Sequence, residues 1–293
     1  MRVTQSSIAA SSLANLQASL ARNAQLQEQM TSGKVINRPS DSPTGIVSVM
    51  SMKSQIASST QYSRNASDGA AWLGQADDTL QTVNARLQRV RDLVLQASST
   101  GSQDLAARQA AATEVSSLRD ELMGLANTSY AGRPIFGGTT SSSTAYDPAT
   151  YAYIGNSGQV TRRLDSATTI EVGANGPSVF GDGATSMFAL LDDIASNAVA
   201  DPSALQANLT NLDSRMSGVL TTLTDIGVRA TRVASAVTTS DDNVLSMSST
   251  LSGIQDIDLP KTILDMQLSS NAYQAALNAT AKVLQPSLMD FLR

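Results

Sequence analysis

The sequence predicts a mainly α fold: a long antiparallel coiled-coil or helical-bundle rod made from the N- and C-terminal arms, with a small β-rich domain inserted between them. Proline is confined to positions 39, 43, 134, 148, 177, 202, 260 and 286, which leaves 44–133 and 203–259 with few interruptions. Proline inside a helix removes a hydrogen bond and clashes with the preceding turn, so its scarcity permits long helices. Nine of the 18 glycines lie between Gly132 and Gly183, and six aromatic residues lie between Tyr130 and Phe180. That shift in composition marks 131–185 as a separate, turn-rich insert. The third observation is an apolar periodicity with alternating steps of three and four.

The N-terminal arm begins with a stripe at Ala9, Leu13, Leu16, Leu20, Asn23, Gln27 and Met30. It is narrow and broken by polar residues, and such a helix is marginal alone. Burial by a partner subunit or by the other terminus would complete it, at the cost of ordering the chain. After a break at 33–43, residues 45–67 carry Ile46, Val49, Met50 and Ile56. Leu73, Ala76, Leu80, Val83, Leu87, Val90, Val94 and Ala97 then form an unbroken seam. Ala111, Val115, Leu118, Leu122 and Leu125 form a shorter one.

In the insert, Tyr151–Ile154 and Ile170–Val172 alternate as strands do, with turns at 155–158 and 175–177. The longest seam follows: Leu205, Leu209, Leu212, Met216, Val219, Leu223, Ile226, Ala230, Val233, Val237, Ser240, Val244, Met247, Leu251 and Ile254. Such a helix would run ~75 Å at 1.5 Å per residue. A last stripe reads Ile263, Met266, Ser270, Tyr273, Leu277, Thr280 and Leu284, with Phe291 beyond it. The expected division is terminal assembly helices at 1–44 and 256–293, helical rod at 45–130 and 186–255, and β-rich insert at 131–185.

Composition excludes much chemistry. The 293 residues contain neither cysteine nor histidine. Disulfides, thiolate nucleophiles, thiolate or imidazole metal sites and histidine acid–base catalysis are therefore ruled out. No cofactor is expected. With 20 Lys+Arg against 25 Asp+Glu, the net charge of −5 gives no reason to seek nucleic acid or an anionic membrane. No apolar run reaches the roughly 18–20 residues of a membrane span, and the start MRVTQSSIAASSLANL has no cleavable secretory pattern.

The adjacent pairs Asp77-Asp78, Asp192-Asp193 and Asp241-Asp242 point in different directions on a helix and make no acid–base dyad. Gly181-Asp182-Gly183 lacks the alternating acidic ligands of a calcium loop and reads as a turn. Trp72, beside the seam, reads as packing. Asp147, Asp165, Glu171 and Asp182 are the acids available to a glycosidase-like site, and none forms a recognisable pair. A signalling coiled coil would share the heptads but not the central insert.

The densest local signal is Ser32-Gly-Lys-Val-Ile-Asn-Arg-Pro-Ser-Asp-Ser-Pro-Thr-Gly45. Gly33 suits the left-handed position that ends a helix. Pro39 stops continuation, Ser40 to Ser42 offer an N-cap, and Pro43 suits the first turn of the next helix. The segment reads as a hinge built on Gly33, Asn37, Pro39, Ser40, Asp41 and Pro43.

This block, TSGKVINRPSDSPTG, resembles the hinge of the flagellin-like family of bacterial axial proteins. Asn65-Ala-Ser-Asp-Gly-Ala-Ala-Trp72 is similar to that family's entry into its rod helices. ANTSYAGRPIFGGT at 126–139 and VFGDGATSMFALLDDI at 179–194 resemble the passages into and out of its central insert, and 256–293 resembles its terminal helix. The resemblance spans nearly the whole chain. Within the family, the start MRVTQS, the Ile135-Phe-Gly-Gly138 segment and the short insert differ from typical filament subunits, whereas the ending FLR is like theirs.

The resemblance implies a non-enzymatic structural role in the extracellular flagellum. The expected role is an adaptor between hook-associated protein 1 and the flagellin filament; the alternative is a flagellin, a subunit of the filament itself. It also implies copies of the chain in a ring, flagellar type III export and an export chaperone engaging the C-terminal helix. The assembly interface would use Leu13, Leu16, Leu20, Met30, Ile263, Met266, Tyr273, Leu277, Leu284 and Phe291.

Overall fold

The computed structural model describes residues 5–98 and 104–284. Seven helices run in chain order: α1 Gln5–Ser32, α2 Pro43–Ser98, α3 Leu105–Ala126, α4 Gly176–Phe180, α5 Met187–Ala200, α6 Leu205–Gln255 and α7 Leu259–Leu284. Four short strands lie between α3 and α4: β1 Ser129–Tyr130, β2 Arg133–Pro134, β3 Thr161–Arg163 and β4 Thr169–Glu171. The chain forms two compact units, 1–58 with 243–293 and 59–242, and α2 and α6 contribute residues to both.

The larger unit is an antiparallel bundle of α2, α3, α5 and α6. Every member of the α2 seam from Leu73 to Ala97 is buried. Each residue of the α6 seam from Leu205 to Ile254 is buried or half-buried, Ser240 included. Register is marked by Arg91 Nε on Asp213 at 2.8 Å and Ser63 Oγ on Asp241 at 2.7 Å across α2 and α6. Arg89 pairs with Glu114 and Arg86 with Glu121 across α2 and α3. These exposed pairs add little energy each, and the continuous apolar core carries the bundle.

The insert is less β-rich than its alternation suggests. β1 and β2 close through Ala131 and Gly132, both at positive φ (49° and 78°), a two-residue turn whose twist matches a tight hairpin. β3 pairs with β4 in register Thr161 to Glu171, which keeps most of the expected strand at 170–172. Tyr151–Ile154 is not a strand. It makes one isolated bridge, Tyr153 to Tyr146, because Tyr151 turns to φ 57°. The expected turn at 175–177 instead opens α4, where Pro177 fits the first helical turn.

Aromatic packing holds the insert to the helices. Tyr146 lies 5.5 Å from Phe188 of α5 and 5.8 Å from Phe180, with its hydroxyl donating to Gly181 O at 2.9 Å. Burial pushes its phenol far above the usual range. Asn127, just past α3, accepts from the Ala145 and Tyr146 amides through Oδ1 and donates to Tyr146 O. Trp72 packs edge-on to Tyr130 at 5.5 Å. The insert therefore shares one continuous core with the helices, and lies within the larger compact unit.

Ile226 is buried and Val228, two residues on, is exposed, which sets a direct test of the seam. Ile226→Asp should cost about 3–5 kcal/mol by leaving an unpaired charge in the core. Val228→Asp should stay within about 0.5 kcal/mol. Chemical denaturation followed by circular dichroism measures both; equal losses would contradict the assigned face.

Candidate assembly surface

The smaller unit contains the terminal helices. Among the described residues, only Ile36 and Val49 of the buried apolar side chains belong to it, whereas it exposes Leu13, Leu20, Val47, Met50, Leu245, Leu264 and Leu268. Its framework is polar and begins at the two connectors. α1 ends at Gly33, whose φ of 70° admits glycine without strain and whose amide bonds Gln29 O. Lys34 then pairs with Asp256 as an antiparallel bridge, flanked by Val35 N on Gln255 O at 2.7 Å and Ile257 N on Gly33 O at 3.1 Å. Gln255, buried at the end of α6, also donates from Nε2 to Ile36 O. One small bridge thus ties together the ends of α1, α2, α6 and α7.

The remaining connector residues hold this turn. Asp41 accepts from the Arg38 amide at 2.8 Å and the Asn37 amide at 3.0 Å. Those two N–H groups, Arg38 first, keep its carboxyl below the usual range. Asn37 Nδ2 donates to Ser32 Oγ and Lys34 O. Ser42 caps α2 by accepting from Gly45 N at 3.1 Å, immediately before Pro43. Pro39 and Ser40 are exposed in the turn. Asp258 caps α7 through Lys261 N. Sequence reasoning found one half of this arrangement and missed the other, Gln255 and Asp256, whose pairing across the chain leaves no local signature.

α1 and α7 lie against each other, antiparallel by the 34 to 256 bridge. Their facing series is Ser12, Leu16, Ser19, Asn23, Leu26 and Met30 against Thr262, Met266, Ser269, Tyr273, Ala276 and Thr280, all buried or half-buried. This corrects the expected α1 stripe: Leu13, Leu20 and Gln27 sit one position off the seam, which runs through Ser12, Ser19 and Leu26. Among the described residues the buried Asn23 Oδ1 has no hydrogen-bond partner, a cost of about 1–3 kcal/mol to this pairing.

Leu13 is 58% exposed, Leu20 54%, Ile263 38% and Leu277 42%. At 100° per residue, all four project to the same side of the plane containing the two helix axes. Leu16, Met30, Met266 and Tyr273 line the seam beneath them, half-buried. Phe291 and the side chain of Leu284 lie outside the described residues.

The acids that could have made a catalytic centre serve the fold. Asp147 and Asp165 accept from backbone amides of their own turns, Glu171 pairs with Arg229 at 3.5 Å, and Asp182 accepts from Tyr153 N. Asp192 takes Arg119 and the Tyr151 hydroxyl, joining α3, α5 and the insert. Among the described residues, no group of three or more acids could hold a metal, and no helix is long and apolar enough to cross a membrane.

The family described as the bacterial flagellin N-terminal helical region matches residues 3–141. The match spans just under half of the chain, its N-terminal part. Over its whole length, and the whole of theirs, it is 25% identical to flagellar hook-associated protein 3 of Salmonella typhimurium and 27% identical to flagellin of Bacillus subtilis. Its fold matches a solved structure of flagellar hook-associated protein-3 from Legionella pneumophila, with a TM-score of 0.63 at 15% identity, covering 70% of this chain and 98% of that one. The likeness to that structure is one of fold.

The Asp41 turn carries a pH prediction. A carboxyl whose native value is depressed stabilises the fold above its unfolded value of about 3.9 and loses that contribution as pH falls through the native value. The Asn37 and Arg38 amide resonances should therefore titrate with a midpoint below about 3.9. Asp41→Asn should abolish that titration; a midpoint at or above the ordinary value would remove the assigned contacts.

Proposed function

We propose that this chain is the structural adaptor between hook-associated protein 1 and the flagellin filament, with no catalytic role. Copies of it would form a ring at the hook–filament junction, outside the cell. The single observation that carries the mechanism is the exposed row Leu13, Leu20, Ile263 and Leu277 on one side of the α1–α7 helix pair. An apolar face of that kind is costly in water and gains by burial against neighbouring subunits. The terminal segments 1–44 and 256–293 would be the assembly part, and the segment 33–43 its hinge. The full-length likeness to hook-associated protein 3 of Salmonella typhimurium supports the junction reading.

Delivery outside the cell would use the flagellar type III apparatus, with an export chaperone holding the C-terminal helix. The absence of cysteine suits a chain threaded unfolded, since it has no thiols to cross-link. The second reading, a filament subunit, is favoured by the comparable full-length likeness to the Bacillus subtilis flagellin.

Gold-tagged antibody on intact flagella separates the two. A single band at the distal end of the hook is expected; label along the filament would make the chain a flagellin, and no label would overturn both readings. In the same cells, Leu13→Glu with Leu277→Glu should abolish the band while the purified variant keeps wild-type helicity. An undiminished band would show that this face is not used.

A further inference from the structure

The larger unit carries a polar pocket of about 150 Å³ where the insert meets α6. Val160, Ala174 and Ile226, all buried, give it an apolar floor. Part of its wall comes from α6 and β4. There Arg229 pairs with Asp225 and reaches Glu171 at 3.5 Å and the Gly173 carbonyl at 3.3 Å. Two carboxylates thus flank one guanidinium, leaving one negative charge in excess. The rest of the lining is neutral and includes Asn156, Ser157, Gln159 and Asn175. Asn156 Oδ1 fixes the loop by accepting from Thr139 N at 2.9 Å and Gly158 N at 3.0 Å, and Asn156 O accepts from the Tyr153 hydroxyl. Among the described residues, the side chains of Ser157, Gln159 and Asn175 make no hydrogen bond to the protein.

We infer that this pocket binds one neutral sugar ring, as a free monosaccharide or as the terminal residue of a glycan. Size and chemistry both point there. The volume is below the roughly 300–1,000 Å³ of drug-sized pockets, yet several times the ~30 Å³ share of a water molecule, which suits a single small ring. An anion finds no free charge, because the one cation in the lining is already held by two carboxylates. A purely apolar ligand would strip water from the polar lining and return no hydrogen bonds. Sugar hydroxyls both donate and accept. They can donate to Asp225 and Glu171 and meet either end of the Gln159 and Asn175 amides. The C–H face of the ring gains by burial on Val160, Ala174 and Ile226. Asn156 orders the loop before any ligand arrives, so binding has little ordering cost. The site uses none of the terminal helices, and it stands or falls separately from the adaptor reading.

Nitrogen-15 NMR titration of the full-length protein tests this. The probes are glucose, galactose, mannose and N-acetylglucosamine, each as the free sugar and as its methyl glycoside, with inorganic phosphate as the anionic control. At least one sugar should give saturable shifts at the Gly158, Gly173 and Asn175 amides, with a Kd on the order of 1 mM, the strength open to so small a ligand. The two forms separate the sources: a free-monosaccharide site loses the glycoside, and a glycan-end site accepts both. Asp225→Asn should weaken binding at least about tenfold, as should Gln159→Ala combined with Asn175→Ala. Asn211→Ala, outside the pocket, should leave it unchanged, and all these variants should keep wild-type circular dichroism. No saturable shift with any of these sugars would overturn the inference. So would equal shifts from phosphate, or sugar binding indifferent to the pocket variants. The gold-labelling result has no bearing on these outcomes.

Discussion

Everything else in the larger unit follows from the seam of α6. A helix of 51 residues that places an apolar or small side chain at every third and fourth position must be covered along its length or leave that stripe in water. α2 supplies an antiparallel stripe of its own, and α3 and α5 close the bundle around both. The insert then has a platform. Its aromatic side chains pack on α5 and on the end of α3, and the hairpin β3–β4 is drawn to α2 and α6 through Arg162 with Asp68 and Arg229 with Glu171. A small segment with strands of two and three residues could not supply a stable core alone.

The smaller unit obeys a different rule. Its helices meet through a seam that mixes serine, threonine and asparagine with Leu16, Leu26, Met30, Met266 and Tyr273, and it is tied at one end by backbone hydrogen bonds between two connectors. Further large apolar residues, Leu13, Leu20, Ile263 and Leu277, stand beside the seam instead of within it. The physical consequence is a helix pair tied firmly at one end, modestly stabilised along its length, and apolar on one outer side.

Much of the fold was legible in the residues. The three–four steps of Leu73 to Ala97 and of Leu205 to Ile254 identified the buried faces, since helical geometry alone brings such positions to one side. Gly33, Pro39 and Pro43 located the break between α1 and α2 through backbone constraints that act locally. Asp41 and Asn37 belonged to that break for the same reason, although their hydrogen bonds were not legible. The strand expected at Tyr151–Ile154 failed because packing of Tyr146 and Tyr151 against α5 overrode a local alternation.

The sequence by itself determined that this would be a helical protein with a turn-rich insert, and that its terminal stripes were too thin to form a core. It determined as well that no thiol or imidazole chemistry was available. Only the tertiary structure decided that Lys34 meets Asp256, that the α1 seam passes through Ser12 and Ser19, and that Leu13, Leu20, Ile263 and Leu277 share a side. Each of those facts relates residues more than two hundred positions apart or depends on which neighbour a helix finds. Periodicity names the faces of a helix, but the partner's register selects the one that is buried.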